Sequence, residues 1–474
     1  MVFNSIQFAI FLPIVFCLYW VTAPRHRWAI LLASSYVFYG FCGAKYLTLL
    51  LAVTGIAYAA GRLLEQSADA KFRKLCLTVS VVLMLAFLFF YKYFNFFSQS
   101  AASLLSLLGS VRDPFLIRVV LPVGISFYIF TAVSYVADVY RNKIPAEHHL
   151  GKFALYIGFF PSLLSGPIER ADNLLPQIRN PRDFDYDLAV YGLREILVGC
   201  LKKMVVADRL AAYANTVFSN VGEHSGFILI LAVVCYTVQI YCDFSGYSDM
   251  AIGVAKLFGI SLRPNFRSPY NALSIKEFWG RWHISLSSWF RDYVYIPLGG
   301  NRVGAFRHKM NLMITFLVSG LWHGSSWNFI IWGGIHGAVQ ILESLFPKKK
   351  KAPAVFRWLG MMVIVSAAWV FFRANTLSDA LYVFAHCLEG IGSLPTYVME
   401  GITGFGLGMF DLLLTSCAAF VWLAVEFISR KEDFPTAVNA MAKPVRWVIY
   451  LVLILTVIFL TPVFSDSGFL YFQF

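Results

Sequence analysis

Two histidine-centred stretches hold the residues best suited to chemistry. In Glu277-Phe-Trp-Gly-Arg-Trp-His-Ile-Ser-Leu-Ser-Ser-Trp-Phe-Arg-Asp292, the residues Trp279, Trp282, His283, Leu286, Trp289 and Phe290 recur at helical spacing. One amphipathic helix over 274–292 would place all six on a single face, with Arg281, Ser285, Ser288 and Asp292 opposite. A lone histidine on such an apolar face is more often a packed core residue than a reactive one. The second stretch is Ser319-Gly-Leu-Trp-His323-Gly-Ser-Ser-Trp327, which follows an apolar run. From Lys309 to His323 is fourteen residues, about 21 Å of helix. The hydrocarbon core is about 30 Å thick. His323 is therefore expected inside the membrane, where burying an ionisable group without a use for it is expensive. His336 lies one hairpin arm later and reads as structural. The pairs Gly320/Gly324 and Gly333/Gly337 that flank the two histidines read as sites of close helix packing.

A neutral imidazole is a competent base, so general-base activation of a hydroxyl suits a buried histidine. The chain has no G-x-S-x-G, which argues against a serine-nucleophile hydrolase. It has no H-E-x-x-H either, and three histidines on separate segments are a weak zinc argument, so no metal is expected. Asp138, Asp243 and Asp249 could instead form a transporter's proton relay, or simply cap helices.

The elements that must position these residues are set by composition. Of 474 residues, 59% are hydrophobic, 17% aromatic and only 14% charged, where a soluble domain carries about 25% charged residues. With a mean hydropathy of +0.67, the chain reads as an all-α multi-pass membrane protein. Disordered, collagenous, coiled-coil and small disulfide-rich classes are excluded. The net charge of +13 belongs to the loops of a membrane protein rather than to a nucleic-acid surface. Eight cysteines are scattered without a C-x-x-C.

Apolar stretches fall near 5–22, 28–42, 45–60, 76–97, 115–137, 151–165, 226–245, 310–322, 328–346, 359–372, 411–428 and 446–463. Several are shorter than the roughly 20 residues a span needs, which suggests half-helices or re-entrant segments. The run 187–207, which mixes apolar residues with Arg194, Lys202 and Lys203, reads as interfacial. The first apolar stretch lacks a basic n-region and reads as a retained helix rather than a signal sequence. Basic clusters at Arg25/Arg27, Arg62/Lys71/Arg73/Lys74, Arg141/Lys143, Lys348–Lys351 and Arg430/Lys431/Lys443/Arg446 mark cytoplasmic connections. Residues 374–429 contain no Lys or Arg, so 374–410 is placed outside, and both termini then lie outside as well. Residues 263–309 carry eight basic residues against two acidic ones. They suit either a loop on anionic headgroups or a docking surface for an anionic, phosphate-bearing partner. With no internal repeat and no linker, 1–474 reads as a single integral-membrane domain.

The strings Arg281-Trp-His-Ile-Ser-Leu-Ser-Ser-Trp-Phe-Arg-Asp-Tyr293 and Gly320-Leu-Trp-His-Gly324 resemble the signature of the membrane-bound O-acyltransferase (MBOAT) family. Ser165-Gly-Pro-Ile-Glu-Arg170, Tyr241-Cys-Asp-Phe-Ser-Gly-Tyr-Ser-Asp249 and the opening Met1-Val-Phe-Asn-Ser extend the resemblance. It is densest over 120–345, least diagnostic over 374–474, and points to the bacterial branch that O-acetylates polysaccharides.

The resemblance implies a ring of about eleven or more tilted and re-entrant helices around a central tunnel, in a bacterial cytoplasmic membrane. It implies His323 as the catalytic base and His283 as its second catalytic position. Trp279, Trp282, Ser285, Trp289, Arg281, Trp322 and Asp243 would line the tunnel and meet the substrates. No bound cofactor is implied. The co-substrate would be an acyl-CoA or an acyl-carrier protein on the cytoplasmic side. The acceptor would be an extracytoplasmic polysaccharide hydroxyl, or an acetyltransferase partner that completes the transfer. D-alanyl transfer to teichoic acid is the neighbouring alternative. A lipid-linked sugar transporter and a non-catalytic membrane scaffold are the alternatives of a different class.

Overall fold

The computed structural model describes residues 1–110, 112–345, 352–406, 408–429 and 432–462. The basic run 348–351 and the pair Arg430/Lys431, used above for orientation, lie outside the described residues. Helices dominate, and no strand occurs among the described residues.

Among the described residues, six helices are long and apolar enough to cross a membrane: Ala44–Gln66, Ala70–Leu107, Phe227–Leu257, Ala354–Arg373, Met409–Ile428 and Lys443–Leu460. The chain is thus an all-α, multi-pass membrane protein. Phe420, Phe427, Trp447 and Phe459 on the last two of these helices are 68–74% exposed. An apolar surface of that kind is stable against lipid and unfavourable against water.

Six is half the number of apolar stretches in the sequence, and the reason is local. Ile6–Val21 and Ile125–Tyr140 are 16 residues each, about 24 Å of helix. The 151–165 stretch breaks into Leu150–Gly158 and the single turn Phe160–Leu163. Ala305–His323 and Trp327–Leu345 reach 19 residues but interleave polar positions such as Asn311, Asn328 and His336.

The chain divides into two compact units. The first comprises Met1–Gly192 and Ala251–Arg263. Its centre is the almost wholly buried helix Ile125–Tyr140, packed against Leu47–Gln66 and Ala70–Leu88. Gly61 permits the approach, since a Cβ there would sit 2.6 Å from the Tyr135 hydroxyl. Glu169, from the 165–170 string, is buried here and accepts from the Arg263 backbone N–H at 2.6 Å and Asn173 Nδ2 at 2.7 Å.

The second unit comprises Leu193–Met250 and Pro264–Phe474. Its closest helix pair is the hairpin of Ala305–His323 and Trp327–Leu345. The two backbones touch at their glycines: a Cβ on Gly320 would collide with the Phe329 carbonyl, and one on Gly333 with the Phe316 carbonyl. The glycines flanking His323 and His336 therefore do pack helix on helix, as their spacing suggests.

The 187–207 run behaves differently from its interfacial pattern. Tyr186–Cys200 continues into a wider helical turn, Leu201–Ala207, where Lys202 and Lys203 are buried. Lys203 meets Asp208 at 2.8 Å and Asp243 at 2.5 Å, and Lys202 meets Asp249 at 3.0 Å. Paired in this way, a lysine no longer needs the headgroup region.

Candidate active site

The site forms in the second unit, where four stretches of chain bring their aromatic side chains together. The Phe227–Leu257 helix contributes Phe244, residues 264–290 contribute His283, and the glycine-seamed hairpin contributes His323 and His336. The Ala354–Arg373 helix contributes Trp369 and Phe372.

The single helix predicted over 274–292 does not form. Ile275–Arg281 ends when the Trp282 N–H bonds the Phe278 carbonyl, and a second short helix, Ile284–Phe290, begins after His283. Trp282 is extended, and His283 sits in the left-handed region at φ 42° and ψ 54°. The cause lies upstream. The Ile284 N–H donates to the Asn265 carbonyl at 2.8 Å, and the Arg267 N–H donates to the Arg281 carbonyl at 3.0 Å. Asn265 Oδ1 accepts from the Ser285 hydroxyl at 2.9 Å and from its N–H at 3.4 Å. Asn265 Nδ2 in turn donates to Ser248 Oγ at 3.0 Å. Residues 265–267 thus clamp the backbone on either side of Trp282 and His283. Asn265 also satisfies N-terminal donors of the second helix, which would otherwise be orphaned.

His283 is fully buried. Its ring lies edge-on to Phe244, with centroids 4.6 Å apart, and nearly parallel to Phe266 at 6.4 Å. Trp322 is 6.1 Å away and the His323 ring 6.3 Å away. His283 lies outside the six spanning helices, and burial in this apolar shell pushes its imidazole well below its ordinary range, leaving it neutral at pH 7.

His323 is the last residue of its helix; Gly324 turns extended immediately after it. The His323 ring packs against Trp332 at 5.0 Å and Phe372 at 5.3 Å. Trp332 is shared, since the His336 ring also lies 5.0 Å from it. His336 Nδ1 accepts from Trp279 Nε1 at 3.3 Å, so the structure gives that histidine a partner in the packing. Trp282 packs on this shell through Trp369, its ring tilted and 5.0 Å away.

Of the residues expected at the site, the structure brings together His283, His323, Trp279, Trp282 and Trp322. Ser285 is buried against Asn265 rather than lying on an open polar face. Trp289, on the second short helix, packs with Phe290 and with Tyr293 in the turn that follows. Arg281 turns outward to pair with Glu277 at 2.8 Å. Asp243 is engaged by Lys203, while its neighbour Phe244 faces His283.

Asn265, Phe266, Phe244, Trp332 and Phe372 escaped the sequence reading. Phe244 lies inside the Tyr241–Asp249 string, which could have signalled it. Asn265 carries no local signal, because its partners lie some twenty residues away in the chain.

Comparison with known proteins gives this geometry a class. The family model described as MBOAT, membrane-bound O-acyltransferase family, matches residues 116–372. The probable alginate O-acetylase AlgI of Azotobacter vinelandii is 40% identical over 390 residues, covering 81% of this chain and 77% of its own. The peptidoglycan O-acetyltransferase of Helicobacter pylori is 33% identical over 422 residues, covering 81% and 79%. The teichoic acid D-alanyltransferase of Streptococcus thermophilus is 32% identical over 287 residues, covering 56% and 69%. The chain belongs to the membrane-bound O-acyltransferase family. It is an enzyme of O-acyl transfer, working from within a membrane.

Proposed function

We propose that the protein moves an acetyl group from a cytoplasmic thioester to a hydroxyl on the far side of a bacterial cytoplasmic membrane, with His323 as general base. The observation that carries this reading is the meeting of His283 and His323, from separate stretches of chain, at 6.3 Å between ring centroids inside an aromatic shell. The kinship to polysaccharide O-acetylating proteins supports acetyl as the group and a polysaccharide hydroxyl, or a partner protein's hydroxyl, as the acceptor.

In this mechanism the acceptor oxygen attacks the thioester carbonyl carbon while His323 takes the hydroxyl proton. The carbonyl pair moves onto oxygen, and neutral His283 donates a hydrogen bond to that oxyanion or to the donor carbonyl. Collapse breaks the C–S bond, and the proton held by His323 passes to the departing thiolate. One ester and one free thiol result. The surrounding Trp and Phe side chains exclude water, which would otherwise compete as acceptor. The donor would be acetyl-CoA or an acetylated carrier protein, drawn to the basic 263–309 region. Both termini would lie outside.

Inside-out membrane vesicles test the direction. Acetyl-CoA labelled in its acetyl group is supplied outside, and the polysaccharide acceptor is enclosed. Base-labile label on the enclosed acceptor is expected, with carrier-bound acetyl as the second donor in a parallel arm. Label confined to acceptor added outside, with either donor, contradicts the reading. D-alanyl transfer is kept as the second reading because of the teichoic acid relative, and labelled D-alanyl carrier protein discriminates it.

A further inference from the structure

We propose that Glu426, on a helix beyond the family-matched stretch, is a positioning residue for His283, acting through Ser268. This rests on reading the His283/His323 pair as the reactive site.

Among the described residues, three non-glycine residues take a positive φ: Asn142, Ser268 and His283. Ser268 and His283 lie at the ends of one construction. Residues 265–267 clamp the Trp282–His283 turn through the two backbone hydrogen bonds that bracket it. Phe266 sits between those bonds, with its ring 5.1 Å from Trp282 and nearly parallel to His283. The residue after the clamp, Ser268, stands at φ 42° and ψ 63°, a conformation that a residue with a Cβ adopts reluctantly. Its carbonyl accepts from the Asn271 N–H at 3.1 Å, and its hydroxyl reaches a side chain far along the sequence, donating to Glu426 Oε2 at 3.1 Å.

The other oxygen of Glu426 accepts from the Tyr241 hydroxyl at 2.8 Å. The Tyr241 ring lies 5.9 Å from Phe266 and 6.1 Å from Trp282. A single carboxylate therefore fixes both the end of the clamp and the aromatic side chain behind it. Glu426 also lies 3.7 Å from Lys202, and a purely structural role would be to balance that charge. Asp249 already meets Lys202 at 3.0 Å, so the lysine keeps a counter-charge without Glu426.

The two roles separate at residue 268. Glycine adopts the left-handed conformation freely, so it should hold the clamp without help; it does nothing for Lys202. The readout is base-released acetate on surface polysaccharide, normalised to membrane protein level, in a host lacking its own such enzyme. E426A is expected to fall about tenfold or more, as misplacement of a reactive group by a fraction of an ångström does. E426Q, which keeps an acceptor oxygen, should stay within about threefold of wild type. E426A/S268G should recover to within about threefold of wild type, while E426A/S268A stays as low as E426A. Wild-type acetylation by E426A overturns the proposal, as does E426A/S268G performing no better than E426A/S268A. If E426A does not accumulate in the membrane, S268A and S268G are compared alone. S268A is expected about fivefold below S268G, and equality overturns the proposal. H323A is run alongside: acetate indifferent to His323 means that the site reading has failed, a result distinct from failure of the glycine rescue.

Discussion

At the scale of the residue, the two histidines differ in what their positions demand. His283 must tolerate φ 42° and present a neutral ring nitrogen. Asparagine meets both requirements, since it enters the left-handed region more readily than most residues and carries an amide donor. His283→Asn should therefore retain acetyl transfer within about tenfold, whereas His283→Leu, without a donor, should lose about a hundredfold or more. Initial rates at matched membrane levels check this, and equal rates for the two variants would reduce His283 to packing. Asn265 has a different kind of role, because its side chain bonds Ser285 and Ser248 inside the core. Asn265→Ala leaves those groups unsatisfied and should cost about 1–3 kcal/mol of stability, read as a lowered midpoint in thermal unfolding of the detergent-solubilised protein. The histidine motifs and their tryptophans were legible in the sequence because residue type and spacing name them. Asn265 was not, because its importance comes from a contact across the fold.

At the scale of the element, the hairpin that carries His323 and His336 is held by contacts that only glycine allows. A side chain at Gly320 or Gly333 meets a backbone carbonyl of the other helix, which cannot move unless the helices part. Gly320→Val or Gly333→Val should cost about 1–3 kcal/mol or more and lower membrane accumulation. Gly334→Ala, whose Cβ would lie 3.6 Å from the Leu317 side chain, should be tolerated. Equal behaviour of Gly333→Val and Gly334→Ala would remove the close crossing as the organising contact. The G-x-x-x-G spacing made this packing readable in advance. The split at Trp282 and His283 was not readable, because the aromatic periodicity runs on through residues 279–290 while the break is imposed by hydrogen bonds from 265–267. A period reports which residues face inward; it does not report that the backbone between them is continuous.

At the scale of the whole molecule, hydrophobic composition alone marked a helical membrane protein. Several of the chain's apolar runs were already too short for a straight crossing, and the structure shows where one of them, 151–165, breaks. Buried charge was hidden: Lys202 and Lys203 resemble interfacial residues in sequence, and only the fold supplies Asp208, Asp243, Asp249 and Glu426 around them. Lys203→Met would leave Asp208 and Asp243 facing each other without their shared cation. A loss of about 3–5 kcal/mol is expected, seen as a fall in thermal midpoint that a conservative Lys203→Arg largely avoids. An unchanged midpoint for Lys203→Met would mean that the buried pairs contribute little to the fold.

The role of His323 is tested most directly by the ester-linked acetate of surface polysaccharide, measured by base release and mass spectrometry. Wild type and His323→Ala are compared at matched membrane levels in a host deleted for its own enzyme. Acetate present with wild type and absent with His323→Ala is the predicted result. Acetate at the wild-type level with His323→Ala would contradict it, leaving that buried histidine as packing.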